Sequence, residues 1–150
     1  MLKLLNVGTY GVYKSFGIKD FIAPNINKEI IKKTKNTINN LKINNHNEVL
    51  NLKINNIPIG DLVYDTYLKK YREEIPKVDV NSEKFMSFLE EFISLYFFWE
   101  KIIINKKIDR IIISHSEYSI GLPARICVHY SGKAYLIDFD RLTKLDKKNF

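Results

Sequence analysis

One hundred and fifty residues, 45% of them hydrophobic, are enough for one domain with its own core and exclude a disordered chain. No run of about eighteen uncharged apolar residues occurs, which excludes a transmembrane helix by the length argument, and MLKLLNVGTYG carries too short an apolar run for a signal peptide. The formal charge of +7 points to nucleic acid or an anionic membrane surface, but the basic residues are overwhelmingly Lys among abundant Asn and Ile, as AT-rich codons impose, so nucleic acid is not expected as a partner.

In chain order, Leu2–Val7 reads as a first strand. Gly8–Gly17 follows as a glycine-punctuated loop whose spacing matches neither a dinucleotide fingerprint nor a P-loop; its glycines serve turns or line a ligand with equal ease. Pro24–Asn27 introduces a helix from Lys28 to Lys42 with Asn27 as N-cap. Ile30, Ile31, Thr34, Ile38 and Leu41 form its apolar stripe, and the lysines face water or a membrane surface. Asn44–Asn47 reads as a turn and Val49–Ile54 alternates like a strand with one polar face. Asn55-Asn56 turns tightly into an edge strand at Ile57-Pro58-Ile59.

Asp61 caps a helix from Leu62 to Tyr71. Asp61 and Asp65 stand one turn apart, which suits acid/base work, but a cap and an i+4 pair between Asp65 and Lys69 account for them without chemistry. Ile75–Val80 is extended, and Asn81-Ser82 caps the longest helix, Glu83 to Asn105, whose stripe from Phe85 to Ile103 reads as core.

Arg110–Ile113 is a β-branched run that suits a strand buried on both faces. The polar loop Ser114–Ser119 follows, then Gly121, Pro123 at a helix start, a helix from Ala124 to Tyr130, Gly132 as a left-handed C-cap, and a strand at Lys133–Ile137. Lone Cys127, inside that helix, can form no internal disulfide, which fits a reducing cytoplasm. Strand, loop, helix, strand is a βαβ unit, and ligands bind such units at the carboxyl ends of the strands. His115 or Glu117 there can act as a general base, Tyr118 can stack on a sugar, and Arg125 can neutralise a phosphate. Equally, His115 and Ser116 can shape the turn while Arg125 pairs with a carboxylate such as Asp138 or Asp140. His46, His115 and His129 are scattered without a metal-ligand spacing, no G-x-S-x-G elbow occurs, and residues after Ile137 read as a polar tail.

Two segments, IPIGDLVYDTYL at Ile57–Leu68 and IIISHSEYSIGLPARICVHYSGKAYLI from Ile111, resemble the amino-terminal half of bacterial capsule and lipopolysaccharide glycosyltransferases of the two-domain GT-B type. Gly60, Asp61, Tyr64, Asp65, Tyr67 and Leu68 carry the first pattern; Ser114, His115, Tyr118, Gly121, Ala124 and Arg125 carry the second, and Lys69 replaces an arginine. The resemblance implies an α/β, Rossmann-like three-layer domain with a mostly parallel sheet, binding a sugar or lipid-linked saccharide acceptor. It implies His115 or Glu117 as the base, Asp61, Tyr64, Asp65, Ser114 and Tyr118 on the sugar, and Arg125 on a phosphate or carboxylate. No metal or other cofactor is implied. The donor-binding half that would hold the nucleotide sugar is not in these 150 residues, so the expectation is a single acceptor-side domain, a fragment, truncated product or split subunit, inactive without a carboxyl-terminal partner. Its expected place is the cytoplasm, at the inner face of the plasma membrane; the alternative is a non-catalytic glycan- or protein-binding module.

Overall fold

The computed structural model of the chain describes residues 18, 20–71, 77–138, 140–148 and 150. The strand expected at Leu2–Val7 and the glycine loop at Gly8–Gly17 lie outside the described residues.

Helix α1 runs from Lys28 to Asn40. Asn27 caps it as its spacing predicts, accepting the Ile30 N–H at 3.0 Å. Its buried side bears Ile30 and Thr34, and the Thr34 hydroxyl meets that of Ser94 at 3.1 Å. Where a turn and a strand are expected, His46–Leu50 forms a short helix, α2. Asn45 accepts the Glu48 N–H at 3.1 Å, and the Glu48 carboxylate reaches back to the Asn44 N–H, a reciprocal cap written as Asn-x-x-Glu. Only Lys53–Ile54 (β1) remains as strand, paired antiparallel with Ile57–Pro58 (β2). Asn55 and Asn56 both take positive φ, 50° and 63°, the conformation a two-residue hairpin turn demands.

Helices α3, Gly60–Tyr71, and α4, Glu83–Asn105, follow the sequence pattern closely. Ser82 Oγ accepts the Phe85 N–H at 3.2 Å and starts α4. The aromatic stripe of α4 is core: Tyr67 of α3 packs edge-on against Phe85 and Phe88 at 5.4 and 5.3 Å between ring centres. α4 packs against α1 and also against α5, Leu122–His129. Ser131 takes the left-handed conformation at the end of α5 (φ 67°), and the Gly132 N–H closes the helix onto Cys127 O at 2.8 Å.

The sheet topology corrects the Rossmann-like expectation. Strands β3, Arg110–Ile113, and β4, Lys133–Asp138, are parallel, with Ile111 opposite Ala134. The expected polar tail instead supplies β5, Arg141–Leu145, antiparallel to β4 through the pairing of Asp138 with Arg141. The described residues therefore hold two small sheets, an isolated hairpin and the series β3-β4-β5, and not a three-layer domain around a mostly parallel sheet. The physical reason is twofold. A tight reversal after β4 uses up its second edge with an antiparallel neighbour, and most of the apolar mass sits on α4, so the main core is built from helices. Nor is β3 buried on both faces: Ile113 is buried, but Ile112 is 60% exposed.

Candidate functional site

The polar loop leaves the carboxyl end of β3 as expected and tightens into a 3-10 turn at Tyr118–Gly121 that feeds α5. Gly121 is required by close approach, since a Cβ there would lie 2.0 Å from the Ser116 carbonyl oxygen. Tyr118 holds a φ of 57°, a left-handed conformation that costs a bulky residue about 1–2 kcal/mol. Such strain recurs at ligand sites because surrounding packing must impose it.

Helix α3 lies against this turn. Its amino terminus is seated by Gly60, where a Cβ would come within 2.2 Å of Leu50 O. The two segments that carry the resemblance are thus joined in space. Arg125, 5% exposed, donates from its two terminal nitrogens to the Asp61 carboxylate at 2.6 and 2.5 Å and to Pro58 O at 2.9 Å. The carboxylate that Arg125 pairs with is therefore Asp61, on α3. Burial alone would push the Asp61 pKa up, but the hydrogen bonds and charge of Arg125 hold it below the usual carboxylate range. Asp61 sits in the first turn of α3, and besides the clamp its carboxylate meets the backbone N–H groups of Leu62 and of Asp61 itself.

One turn on, Asp65 is half-buried beside the loop. Burial, then the negative charges of Asp61 and Glu117, raise its pKa, against a smaller opposing effect of Arg125. Lys69 is turned from the expected partner Asp65 to the loop, with its ammonium 4.0 Å from the centre of the Tyr118 ring. Asp61, Asp65, Glu117, Tyr118 and Arg125 thus form one neighbourhood, open to solvent at Asp61 and Glu117. Ser114 and His115 are exposed earlier on the same loop, with His115 Nδ1 3.1 Å from Ser114 Oγ, and Ser114 lines a different groove with Leu95, Trp99 and Ile112. Tyr64 is directed elsewhere, edge-on to His46 with ring centres 5.2 Å apart. Chemically, this neighbourhood offers carboxylate acceptors for hydroxyl groups, the Tyr118 ring with the Lys69 ammonium over it, and a buried cation, Arg125.

On the other side of Arg125 a cleft of about 270 Å³ is lined by Asn56, Pro58, His129, Lys147 and Phe150. Arg125 Nε is buried there without a hydrogen-bond partner. Among the described residues no three His, Cys, Asp or Glu side chains gather to hold a metal ion, and no helix is long and apolar enough to cross a membrane.

Sequence reasoning misses Glu100, which looks like one more exposed acid on α4 but is 5% exposed. Its carboxylate accepts from Lys33 Nζ and Asn55 Nδ2, both at 2.8 Å, from the Tyr130 hydroxyl at 2.9 Å and from the Tyr96 hydroxyl at 3.1 Å. Burial opposes the charge, but these donors, with Lys33 foremost, hold its pKa below the usual range. The same burial and the nearby carboxylate push Tyr130 up to about 12. With all its acceptor capacity used, Glu100 ties α1, the hairpin turn and α5 to α4 as scaffold. No local signal marks it, because its partners come from four separate stretches of chain. Compared with known proteins, the chain matches no family model, no curated sequence and no solved structure.

Proposed function

We propose that the chain is the acceptor-binding part of a glycosyltransferase of bacterial surface-polysaccharide synthesis, and that the surface where α3 meets the β3–α5 loop takes the acceptor saccharide. The observation that carries this reading is the convergence of its two motif segments through Asp61 and Arg125, which brings Asp65 within electrostatic reach of Glu117 and packs its helix on the turn that begins at Tyr118. Carboxylates accept from sugar hydroxyls, and a tyrosine ring covers the apolar face of a pyranose. Arg125, committed to Asp61 and Pro58, serves as the buried cation that fixes the carboxylates. His115 or Glu117, both exposed on the loop, removes the proton from the attacking hydroxyl, and a partner domain supplies the nucleotide-sugar donor. Alone, the chain binds saccharide without turnover.

The test is saturation-transfer NMR of the 150-residue chain against a panel of neutral and acidic oligosaccharides. Saturable binding that weakens at least about tenfold in Glu117→Gln supports the reading, with one charged hydrogen bond as the source. Absence of binding across the panel sinks it.

A further inference from the structure

Among the described residues, the three-stranded sheet is covered on one side only. α5 packs on the side that carries Ile113, Ala134 and Leu145, all buried together with Ala124. The register places the alternate residues on the opposite side: Arg110 beside Lys133, Ile112 beside Tyr135, Tyr135 beside Lys144, and Ile137 beside Leu142. Three of these are large aliphatic groups left in solvent, Ile112 at 60%, Ile137 at 50% and Leu142 at 58%. Arg110, Lys133 and Lys144 surround them and are exposed. None of the seven positions is acidic; the nearest acid to Arg110 is its exposed neighbour Asp109, with a 3.8 Å contact.

Aliphatic groups within a cationic frame select among partners. Nucleic acid would use the cations but has little to gain from Ile112, Ile137 and Leu142, which offer no ring on which a base can stack. A second copy of the chain would set Arg110 and Lys133 against the same two cations. The core of a protein interface is ordinarily depleted of lysine. An anionic bilayer satisfies both kinds of group at once, apolar chains at the acyl boundary and cations on lipid headgroups. The lysine-rich helix α1 pairs its exposed cations with one aliphatic group only, Ile31, which is less exposed (39%) than any of the three on the sheet. Its Ile30 is buried and Lys33 is held by Glu100, while Lys101 of α4 occupies Glu29.

We propose that the open face of the β3-β4-β5 sheet rests on an anionic lipid surface, with Ile112, Ile137 and Leu142 inserted below the headgroups and Tyr135 at the interface. This surface is separate from the saccharide site and stands or falls without it. The Ser114–Gly121 loop, continuing from β3, leaves from the rim of the same sheet.

Co-sedimentation of the 150-residue chain with phosphatidylcholine vesicles, with and without phosphatidylglycerol, tests the proposal. Binding is expected to the anionic vesicles and to fall as salt rises. Ile112→Asp is expected to weaken it at least about tenfold, and Lys133→Gln about fivefold, the share of one basic residue at such a surface. Because both side chains are exposed, circular dichroism and the unfolding midpoint should stay unchanged. Three results would overturn the proposal: no binding to anionic vesicles, equal binding by Ile112→Asp, or loss of binding through Lys28→Gln and Lys32→Gln on α1. A dimer that Ile112→Asp converts to monomer in light scattering would overturn it too, by giving the face to a second copy.

Discussion

The Arg125–Asp61 clamp can be measured by a double-mutant cycle with Arg125→Met and Asp61→Ala. Arg125 makes two bonds to a carboxylate and one to a backbone carbonyl from a site only 5% exposed. A dry charge-assisted bond contributes about 1.5–3 kcal/mol. The Asp61 side chain is 53% exposed, however, so water screens the pair and the two bonds together should contribute about 1.5–2 kcal/mol. The Pro58 bond adds about 1 kcal/mol. Arg125→Met keeps most of the stem's packing and should cost about 2–3 kcal/mol, while Asp61→Ala should cost about 2 kcal/mol by leaving a buried guanidinium without its countercharge. Urea unfolding followed by Trp99, the sole tryptophan, reads both. The coupling energy should be about 1.5 kcal/mol. A coupling below about 0.5 kcal/mol would refute the reasoning, because the two motif segments would then be neighbours without being joined.

Four further outcomes follow from the same geometry. Glu100→Ala should cost about 2–3 kcal/mol, seen as a fall in the unfolding midpoint, since the Asn55 amide and the Tyr130 hydroxyl lose their acceptor, while Tyr96 keeps its 3.4 Å bond to Ile54 O and the half-exposed Lys33 turns to water. Asp61 and Glu100 have lowered pKa values in the fold, so their stabilisation is complete above the unfolded carboxyl pKa of about 4 and fades as pH falls through the lower folded values. Tyr130 works in the opposite sense: its stabilisation is complete below about pH 10 and fades as pH rises toward 12. Unfolding curves across pH should show both limbs. Asp65, whose pKa is raised, opposes folding at neutral pH, so Asp65→Asn should raise the denaturation midpoint in the same urea assay. Tyr118→Gly exchanges the Lys69 contact for relief of the left-handed backbone, and its midpoint should lie within about 1 kcal/mol of the parent.

Local signals carried much of the fold. Asn27 and Ser82 mark helix starts because capping is a contact across three residues, and the stripe on α4 marks burial because helical period converts spacing into a face. What failed was non-local. The Ile111–Ile113 run reads as a doubly buried strand, but whether Ile112 is covered depends on what packs across the sheet. Arg141–Leu145 looks polar because only Leu145 is buried; the other four residues are exposed, so little in its pattern announces a strand. At Asn45 the miss is local instead: Asn-x-x-Glu forms a helix cap in the structure, where the alternation from Val49 points to a strand. Within the candidate site, the pairing of Arg125 with some carboxylate is legible. Its partner Asp61, the turning of Lys69 to Tyr118 and the facing of Asp65 to Glu117 depend on tertiary docking of α3, which no spacing encodes.

Saccharide binding at the α3–loop surface is the central claim, and a chemical-shift titration of the 150-residue chain with the tightest oligosaccharide of the panel tests it most directly. The account predicts shifts concentrated at Asp65, Glu117 and Tyr118, lost in Glu117→Gln and kept in Ile112→Asp. Shifts confined to the cleft beside Lys147 and Phe150, or no shifts at all, would contradict it.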